Sequence, residues 1–226
     1  MEYDNITRII EAKKTGEKKL YFYNSSGEKV TTENFVKDYY EKSGYSVMRA
    51  EVNFWQAMFA LCFFDEIFSI NTNSLNDIPL DLFHNDLFYK ARKQIIDEKY
   101  NLLKTVKLLD YVNEQIILNG NFKTRLFRYN LPTYKADFIE YFKTTIVQDF
   151  LSFIDNNIFA DIVYKIAQNP NDNRAGLPDF IIWNDEKFEF IEVKRINEQL
   201  REAQINWIKF LLNKNTPIYI VRVKEI

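Results

Sequence analysis

The stretch Arg174–Trp207 decides the fold, and it reads RAGLPDFIIWNDEKFEFIEVKRINEQLREAQINW. Turn-forming residues lead into FIIW, a run of branched and aromatic residues that is typical of a β-strand. The next four residues, 184–187, are polar and few enough for a hairpin turn, and FEFIEVK continues as a second strand. A helix pattern that carries Gln204 and Trp207 follows. The stretch therefore predicts a β-hairpin followed by a helix.

The predicted hairpin brings two acidic side chains and a lysine to one face of the sheet. If Asn184 pairs with Lys187, Asp179 at the head of the first strand lies directly opposite Glu192, with Cβ atoms roughly 5 Å apart. Lys194 projects from the same face, because side chains along a strand alternate with a period of two. The hairpin thus predicts a cluster of Asp179, Glu192 and Lys194.

This cluster has the chemistry of a hard-cation site. Two carboxylates at such a separation repel each other unless a cation intervenes. Oxygen ligands of this kind suit Mg²⁺ or Mn²⁺, and the backbone carbonyl of Val193 can supply one more oxygen. Lys194 beside the ion can position or deprotonate an attacking water, or stabilise charge on a phosphate. With one cysteine and one histidine in 226 residues, cysteine-rich zinc sites are excluded.

Composition sets broad limits on the rest of the chain. Apolar residues make up 46% and aromatic residues 16%, which excludes disorder, while a net charge of −2 argues neither for nor against nucleic acid. Cys62 lies in an apolar run and is expected to be a core residue, and His84 lies in a polar turn that predicts a helix start. The sequence shows no signal peptide and no membrane span, so we expect an intracellular, soluble protein, cytoplasmic in a prokaryote or nuclear in a eukaryote.

The order of elements predicts an α/β core with a large helical insertion. Residues 1–30 are a lead-in in which YFYNSSGEKV is either a hairpin or an irregular segment. A capped helix begins at Thr31–Thr32 and ends near Gly44, a buried helix follows Glu51, and helical patterns then fill about 84–168. Residues 31–226 are expected to form a single domain whose catalytic hairpin, helix and final strand occupy 174–226.

One further acidic residue and one basic segment stay ambiguous at this level. Glu51 at the head of the buried helix is equally a helix cap or a ligand. The basic residues between 90 and 107 are expected to lie on the solvated face of a helix. A second segment interleaves cations with aromatic residues, which suits a DNA path, because cations neutralise phosphates and aromatic rings stack on bases. The residues assigned to this path are Lys123, Arg125, Arg128, Lys135 and Arg174.

The motifs resemble a known nuclease superfamily. Pro178-Asp179 followed by Glu192-Val193-Lys194 is similar to the signature of PD-(D/E)xK nucleases. GLPDFIIW, FIEVK, a helix with Gln204 and Trp207, and a final IYIVRV strand resemble its VRR-NUC branch. VKDYYEKSGY, the Glu51 segment, FALCFFDEIF and DIPLDLF extend the resemblance to the nuclease domain of the Fanconi-associated nuclease family, over most of 33–223.

The resemblance implies a restriction-endonuclease-like core with a mixed sheet, and it assigns roles to residues. Glu51 corresponds to a metal ligand of the family, Asp179 and Glu192 to the other two, and Lys194 to the catalytic lysine. Gln204 matches a glutamine that recurs in VRR-NUC domains and is expected to support the site. The chain departs from its relatives after the lysine, where Arg195-Ile196-Asn197 stands in place of a frequent Gly-Pro turn.

The resemblance also implies an activity. It predicts Mg²⁺- or Mn²⁺-dependent hydrolysis of DNA phosphodiester bonds, with cutting near 5′ flaps, 5′-to-3′ exonuclease activity and a role in DNA repair. One alternative is a dimeric resolvase of four-way junctions, like small stand-alone VRR-NUC domains. The helical insertion favours a monomer over that dimer. The other alternative, a non-catalytic DNA-binding module on a nuclease fold, would have lost Asp179, Glu192 or Lys194, and all three are present.

Overall fold

The computed structural model describes residues 3–13, 21–69, 74–75, 78–83, 87–120 and 138–226. The chain divides into two compact units. One comprises Met1–Glu51 together with Gly176–Ile226, and the other comprises Val52–Ala175. The second unit is therefore inserted in the sequence between the two halves of the first, and His84 and residues 123–135 lie outside the described residues.

The first unit contains a mixed five-stranded sheet. Its strands, in sequence order, are β1 (Thr7–Ala12), β4 (Ser46–Arg49), β7 (Phe180–Trp183), β8 (Phe188–Arg195) and β9 (Ile218–Glu225). In space their order is β1-β9-β8-β7-β4, where β1, β9 and β8 run parallel and β7 is antiparallel to both β8 and β4. The expected α/β architecture with a mixed sheet is confirmed.

One face of this sheet packs on the helix α1 (Thr32–Lys42). Its core combines β8 residues such as Ile191 and Val193 with Val36 and Tyr40 of the helix. The side chain of Thr31 accepts a hydrogen bond from the backbone of Asn34, which is the N-cap that the sequence predicts. The helix is therefore fixed at its start and along its buried face.

The opposite face of the sheet carries the helix α10 (Glu202–Asn213), which buries Gln204, Trp207, Ile208 and Leu211. Gly176, which precedes β7, packs directly against the start of this helix. A Cβ atom on Gly176 would lie 2.4 Å from the backbone carbon of Ala203, and its φ of +88° is unfavourable for other residues. Only glycine fits this close approach, which fixes the entry to β7 against α10.

The amino-terminal residues contribute more than a lead-in. A 3₁₀ helix (Asp4–Ile6) is followed by β1, which pairs in parallel with β9 from Thr7 to Ala12. The strand was not predicted, because TRIIEA is short and its apolar and polar residues do not alternate regularly. Beyond it, β2 (Phe22–Tyr23) and β3 (Lys29–Val30) pair antiparallel, so YFYNSSGEKV contains the hairpin that the sequence left open.

The second unit is mainly helical. Its longer helices are α2 (Val52–Cys62), α4 (Leu87–Leu103), α5 (Leu108–Asn119), α7 (Thr145–Phe153) and α8 (Asn156–Gln168). Shorter elements are α3 (Phe64–Phe68), α6 (Phe138–Phe142), α9 (Pro170–Asn173), the 3₁₀ helix Leu80–Phe83, and the pair β5 (Ser74–Leu75) and β6 (Ile78–Pro79). Aromatic rings fill its core, where Phe54 contacts Phe142 and Phe150, and Cys62 is buried as expected.

The basic side chains of α4 are not all solvated, contrary to the expectation for an amphipathic helix. Arg92 is buried and forms an ion pair with Asp81 at 2.5 Å. Lys99 lies 3.3 Å from the carboxylate of Glu66 and is largely covered. A buried charge is tolerated only with such partners, so these two cations hold the unit together. No helix in the described part of the chain is long and apolar enough to cross a membrane.

Candidate active site

The hairpin forms with the register that the sequence predicts. The backbone N–H of Asn184 donates to the carbonyl of Lys187 at 3.0 Å, and Phe180 pairs with Ile191 across the strands. Extending this register by one residue places Asp179 opposite Glu192. Both side chains therefore project from the face that carries α10, and Lys194 follows two residues later on the same strand.

The two carboxylates are held by different donors. Asp179 Oδ2 accepts the backbone N–H of Val193 at 2.7 Å. Glu192 is 1% exposed, and its Oε1 accepts hydrogen bonds from Lys194 Nζ at 2.6 Å and from Gln204 Nε2 at 2.5 Å. Among the described residues, the other oxygens, Asp179 Oδ1 and Glu192 Oε2, receive no hydrogen bond. Each carboxylate thus keeps an oxygen for a further ligand.

Burial makes both carboxyl groups costly to ionise. Desolvation raises the pKa of Asp179 to about 6, against the lowering effect of the Val193 N–H and of Lys194. Desolvation, followed by the charge of Asp179, raises the pKa of Glu192 to about 8, although Lys194 opposes it. A divalent cation would offset both effects, since it favours the charged forms.

Lys194 and Gln204 reach the site through different elements. The lysine ammonium also lies 3.2 Å from the Val193 carbonyl and 3.6 Å from Glu198 Oε1, so it is surrounded by oxygen atoms. Gln204 accepts the backbone N–H of Arg201 at 2.9 Å while it donates to Glu192. Gln204 therefore joins the first turn of α10 to the buried carboxylate.

The segment after Lys194 is fixed by a β9 side chain. Arg222 Nη1 donates to the carbonyls of Arg195, Ile196 and Glu198 at 3.1, 3.2 and 2.9 Å. This nitrogen carries two hydrogens, which the three carbonyls share, and it holds the chain where the sequence departs from a Gly-Pro turn. The departure in sequence thus leaves an ordered connection between β8 and α10.

Glu51 lies at the end of the first unit, immediately before α2. Its carboxylate is 44% exposed and pairs with Arg49 Nη1 at 2.9 Å. The charge of Glu51 also raises the pKa of Asp179. The residue is therefore close enough to influence Asp179, but its side chain is bound by an arginine.

Glu33 in the first turn of α1 was not predicted as a site residue. Its charge also raises the pKa of Asp179, so it belongs to the same electrostatic environment. In the sequence Glu33 reads as an ordinary acidic residue at a helix start, where it complements the helix dipole. Nothing in the local pattern separates that role from a position beside the hairpin that carries Asp179 and Glu192.

The donor atoms fit a hard divalent cation, although the three carboxylates are not gathered around one point. Within the described residues, no three His, Cys, Asp or Glu side chains lie close enough together to hold a metal ion. Asp179 Oδ1 and Glu192 Oε2 are available, and the Val193 carbonyl contacts the ammonium of Lys194. Cation binding by Glu51 as well would require its side chain to leave Arg49.

The predicted DNA path falls largely outside the described residues. Only Arg174 is described, and it is exposed at the end of α9 in the second unit. The assignment of all five basic residues to a DNA path stays a prediction.

The segment that contains the hairpin motif matches a known family. Residues 125–225 match the model of the VRR-NUC domain. The resemblance to the VRR-NUC nucleases is confirmed. The VRR-NUC match contains Asp179, Glu192, Lys194 and Gln204, whereas Glu51 precedes it.

Curated relatives extend the likeness beyond the VRR-NUC segment. The Fanconi-associated nuclease 1 homologue of Schizosaccharomyces pombe is 26% identical over 200 residues, which cover 86% of this chain and 27% of the relative. The homologue of Oryza sativa subsp. japonica is 25% identical over 227 residues, covering 94% of this chain and 22% of the relative. The chain thus spans about a quarter of the length of these relatives.

Solved structures establish the fold. The structure described as paFAN1 bound to 2nt 5′ flap DNA with a gap matches with a TM-score of 0.76 and 17% identity, over 99% of this chain and 38% of that one. A second, with a 1nt 5′ flap, gives the same TM-score at 18% identity. The expected PD-(D/E)xK-type α/β fold, with helices added to a mixed sheet, is confirmed.

Proposed function

We propose that this protein is a divalent-cation-dependent DNA nuclease that hydrolyses phosphodiester bonds near 5′ flaps, with 5′-to-3′ exonuclease activity, in DNA repair. The observation that carries the proposal is the arrangement of half-buried Asp179 with buried Glu192 and Lys194 on one hairpin, where two carboxylate oxygens accept no hydrogen bond from the described residues. The VRR-NUC match and the similarity to Fanconi-associated nucleases support it.

Asp179, Glu192 and the Val193 carbonyl would hold the Mg²⁺ or Mn²⁺ ion, with Glu51 as a third carboxylate. When bound, such an ion supplies Lewis-acid activation of water and neutralises charge on the scissile phosphate. The same ion would favour the ionised forms of both carboxyl groups. Their raised pKa values support a site that is built for a cation rather than for two free anions.

The other side chains would orient these groups and handle charge. Gln204 holds Glu192 through a donated hydrogen bond, so the carboxylate presents its second oxygen in a fixed direction. The Lys194 ammonium would lie beside the reacting phosphate, where it can stabilise developing negative charge or orient the attacking water for in-line displacement. Burial keeps that ammonium among oxygen atoms and away from bulk solvent.

A panel of labelled DNAs tests substrate choice. The protein is incubated with Mg²⁺, with Mn²⁺ or with EDTA and a 5′ flap, a nick, a gap, a four-way junction or a single strand. We expect cation-dependent cutting near the base of the flap and shortening from 5′ ends. Symmetric cutting of the junction by a dimer would instead support a resolvase, and binding without any cutting would support a DNA-binding module.

A further inference from the structure

The carboxylate of Glu51 pairs with the guanidinium of Arg49, a residue outside the sequence motifs described above. Arg49 Nη1 contacts Glu51 Oε1 at 2.9 Å, and the two side chains are 27% and 44% exposed. The other terminal nitrogen of Arg49 donates to Asn34 Oδ1 at 3.4 Å, and the guanidinium carbon lies 5.5 Å from the ring centroid of Phe180. Arg49 is thus tied to α1 and to β7 as well as to Glu51.

The strand register shows the direction in which this arginine holds its partner. Arg49 pairs with Phe180, whose side chain belongs to the core on the α1 side of the sheet. Asp179 is the next residue along and projects from the opposite face, because strand side chains alternate. The ion pair therefore draws Glu51 toward the α1 side and away from the face of the carboxylate pair.

The backbone between the two partners is anchored. Ala50 is fully buried, and its N–H donates to the carbonyl of Asp179 at 3.1 Å. A change in the partner of Glu51 is consequently confined to rotation of its own side chain. Rotation about side-chain bonds is fast and needs no rearrangement of the sheet.

We propose that Arg49 is a positioning residue that competes with the divalent cation for the carboxylate of Glu51. The inference rests on the function proposed above and adds to it a residue that controls cation affinity. Without the cation, the guanidinium neutralises Glu51 beside two carboxylates that already repel each other. With the cation, Glu51 leaves Arg49 and completes the ligand set. An ion pair of this exposure is weak enough to be displaced.

Direct measurement of Mn²⁺ binding without DNA tests this competition. Free Mn²⁺ is followed by electron paramagnetic resonance for the wild type, Arg49→Gln, Arg49→Lys, Glu51→Gln and the double variant. Because the glutamine removes the competing charge, we expect Arg49→Gln to bind Mn²⁺ about 2- to 5-fold more tightly than the wild type. Arg49→Lys keeps the charge and should stay close to the wild type.

The double variant separates competition from a general charge effect. In the Glu51→Gln background, loss of Arg49 should no longer tighten Mn²⁺ binding, since the contested carboxylate is absent. Lys224→Gln removes an exposed lysine that pairs with Glu11 at 3.2 Å, and it serves as the matched control for net charge. Thermal unfolding of each variant checks that the fold persists.

The possible results discriminate between the two proposals. Equal Mn²⁺ affinity for the wild type and Arg49→Gln, or an equal gain in the Glu51→Gln background, would overturn the role of Arg49 while leaving the proposed nuclease intact. Absence of Mn²⁺ binding by the wild type would overturn the proposed function and this inference together. Weaker binding by Arg49→Gln would identify the arginine as a support of the site rather than a competitor.

Discussion

At the scale of single residues, the site places two acidic side chains where solvent screens their charge only weakly. Asp179 and Glu192 lie on one face of a hairpin, and burial raises the pKa of both. Lys194 and Gln204 donate hydrogen bonds to Glu192, whereas Asp179 accepts the Val193 N–H and is stabilised by the charge of Lys194. The folded, cation-free protein therefore carries a destabilising interaction at the centre of its proposed function, as active sites often do.

Asp179→Asn should stabilise the cation-free protein in a manner that depends on pH. The folded-state pKa of Asp179, about 6, lies above the value of 3.8 that is ordinary for an aspartate in water. Folding therefore favours the protonated carboxyl group. Its contribution to the free energy of unfolding is fully present below pH 3.8 and is lost as the pH rises through 6. Asparagine can still accept the Val193 N–H but cannot ionise. At pH 8 in EDTA we expect a gain of roughly 1–3 kcal/mol in the free energy of unfolding, and roughly half of that gain at pH 5.

Denaturant unfolding at a series of pH values measures this gain. Asp185→Asn changes an exposed aspartate in the hairpin turn and should leave the pH dependence as in the wild type. A gain for Asp179→Asn that is the same at pH 5 and pH 8 would contradict the origin assigned to the effect.

Gln204→Glu should impair the site without unfolding the helix. A glutamate can still accept the Arg201 N–H, but its second oxygen would face Glu192 without a proton to donate. Since residues that orient metal ligands affect function strongly, we expect cation affinity and cleavage to fall by about 10- to 100-fold at neutral pH. Titration with Mn²⁺ and initial cleavage rates measure the two effects. Gln199→Glu, in the exposed connection before α10, adds the same charge outside the Glu192 contact and should have little effect.

At the scale of elements, the site depends on the packing of the β7 entry against α10. Gly176 combines a φ of +88° with a backbone approach that leaves no room for a side chain. This single contact sets the position of Asp179, three residues later, relative to the helix that carries Gln204. A displacement of the β7 entry would therefore also change the position of Asp179 relative to the first turn of α10.

Gly176→Ala should destabilise the protein and lower its activity. A new Cβ would overlap the Ala203 backbone, so the segments must separate, at a cost of roughly 2–5 kcal/mol from strain and lost packing. Gly27→Ala is the matched control, because Gly27 has a φ of +78° but open space around it. Thermal unfolding of both variants tests the argument. Equal losses of stability in the two variants would mean that the positive φ, and not the close approach to Ala203, makes glycine necessary at position 176.

Sequence patterns predicted the hairpin because its two strands and its turn are adjacent in the chain. Alternation along FIIW and FEFIEVK, with a four-residue turn, fixes which side chains share a face. The contact between Glu51 and Arg49 depends instead on the rotamer of the Glu51 side chain, which a sequence pattern does not specify. In the sequence, nothing distinguishes Arg49 from other residues of a strand. β1 depends on a partner more than 200 residues away, β9, so local patterns could not identify it. Glu33 was missed for the same reason, since its proximity to Asp179 arises only from packing.

At the scale of the whole molecule, the chain combines the sheet unit with a helical unit that is inserted in the sequence before the β7–β8 hairpin. The helical unit has its own aromatic core and its own buried ion pairs. From this insertion we expect a monomer in solution. Light scattering coupled to size exclusion should give a mass near 27.1 kDa. A mass of twice that value, maintained on dilution, would favour the resolvase-like dimer.

Cleavage of a labelled 5′-flap DNA by Lys194→Ala tests the central claim most directly. The wild type and the variant are compared with Mg²⁺ and with Mn²⁺, while DNA binding and thermal unfolding are measured on the same samples. The account predicts that the variant folds and binds the flap but cleaves at least about 100-fold more slowly, since the charge beside the phosphate is lost. Cation-dependent cleavage at the wild-type rate by this variant would contradict the assignment of the hairpin as the nuclease centre.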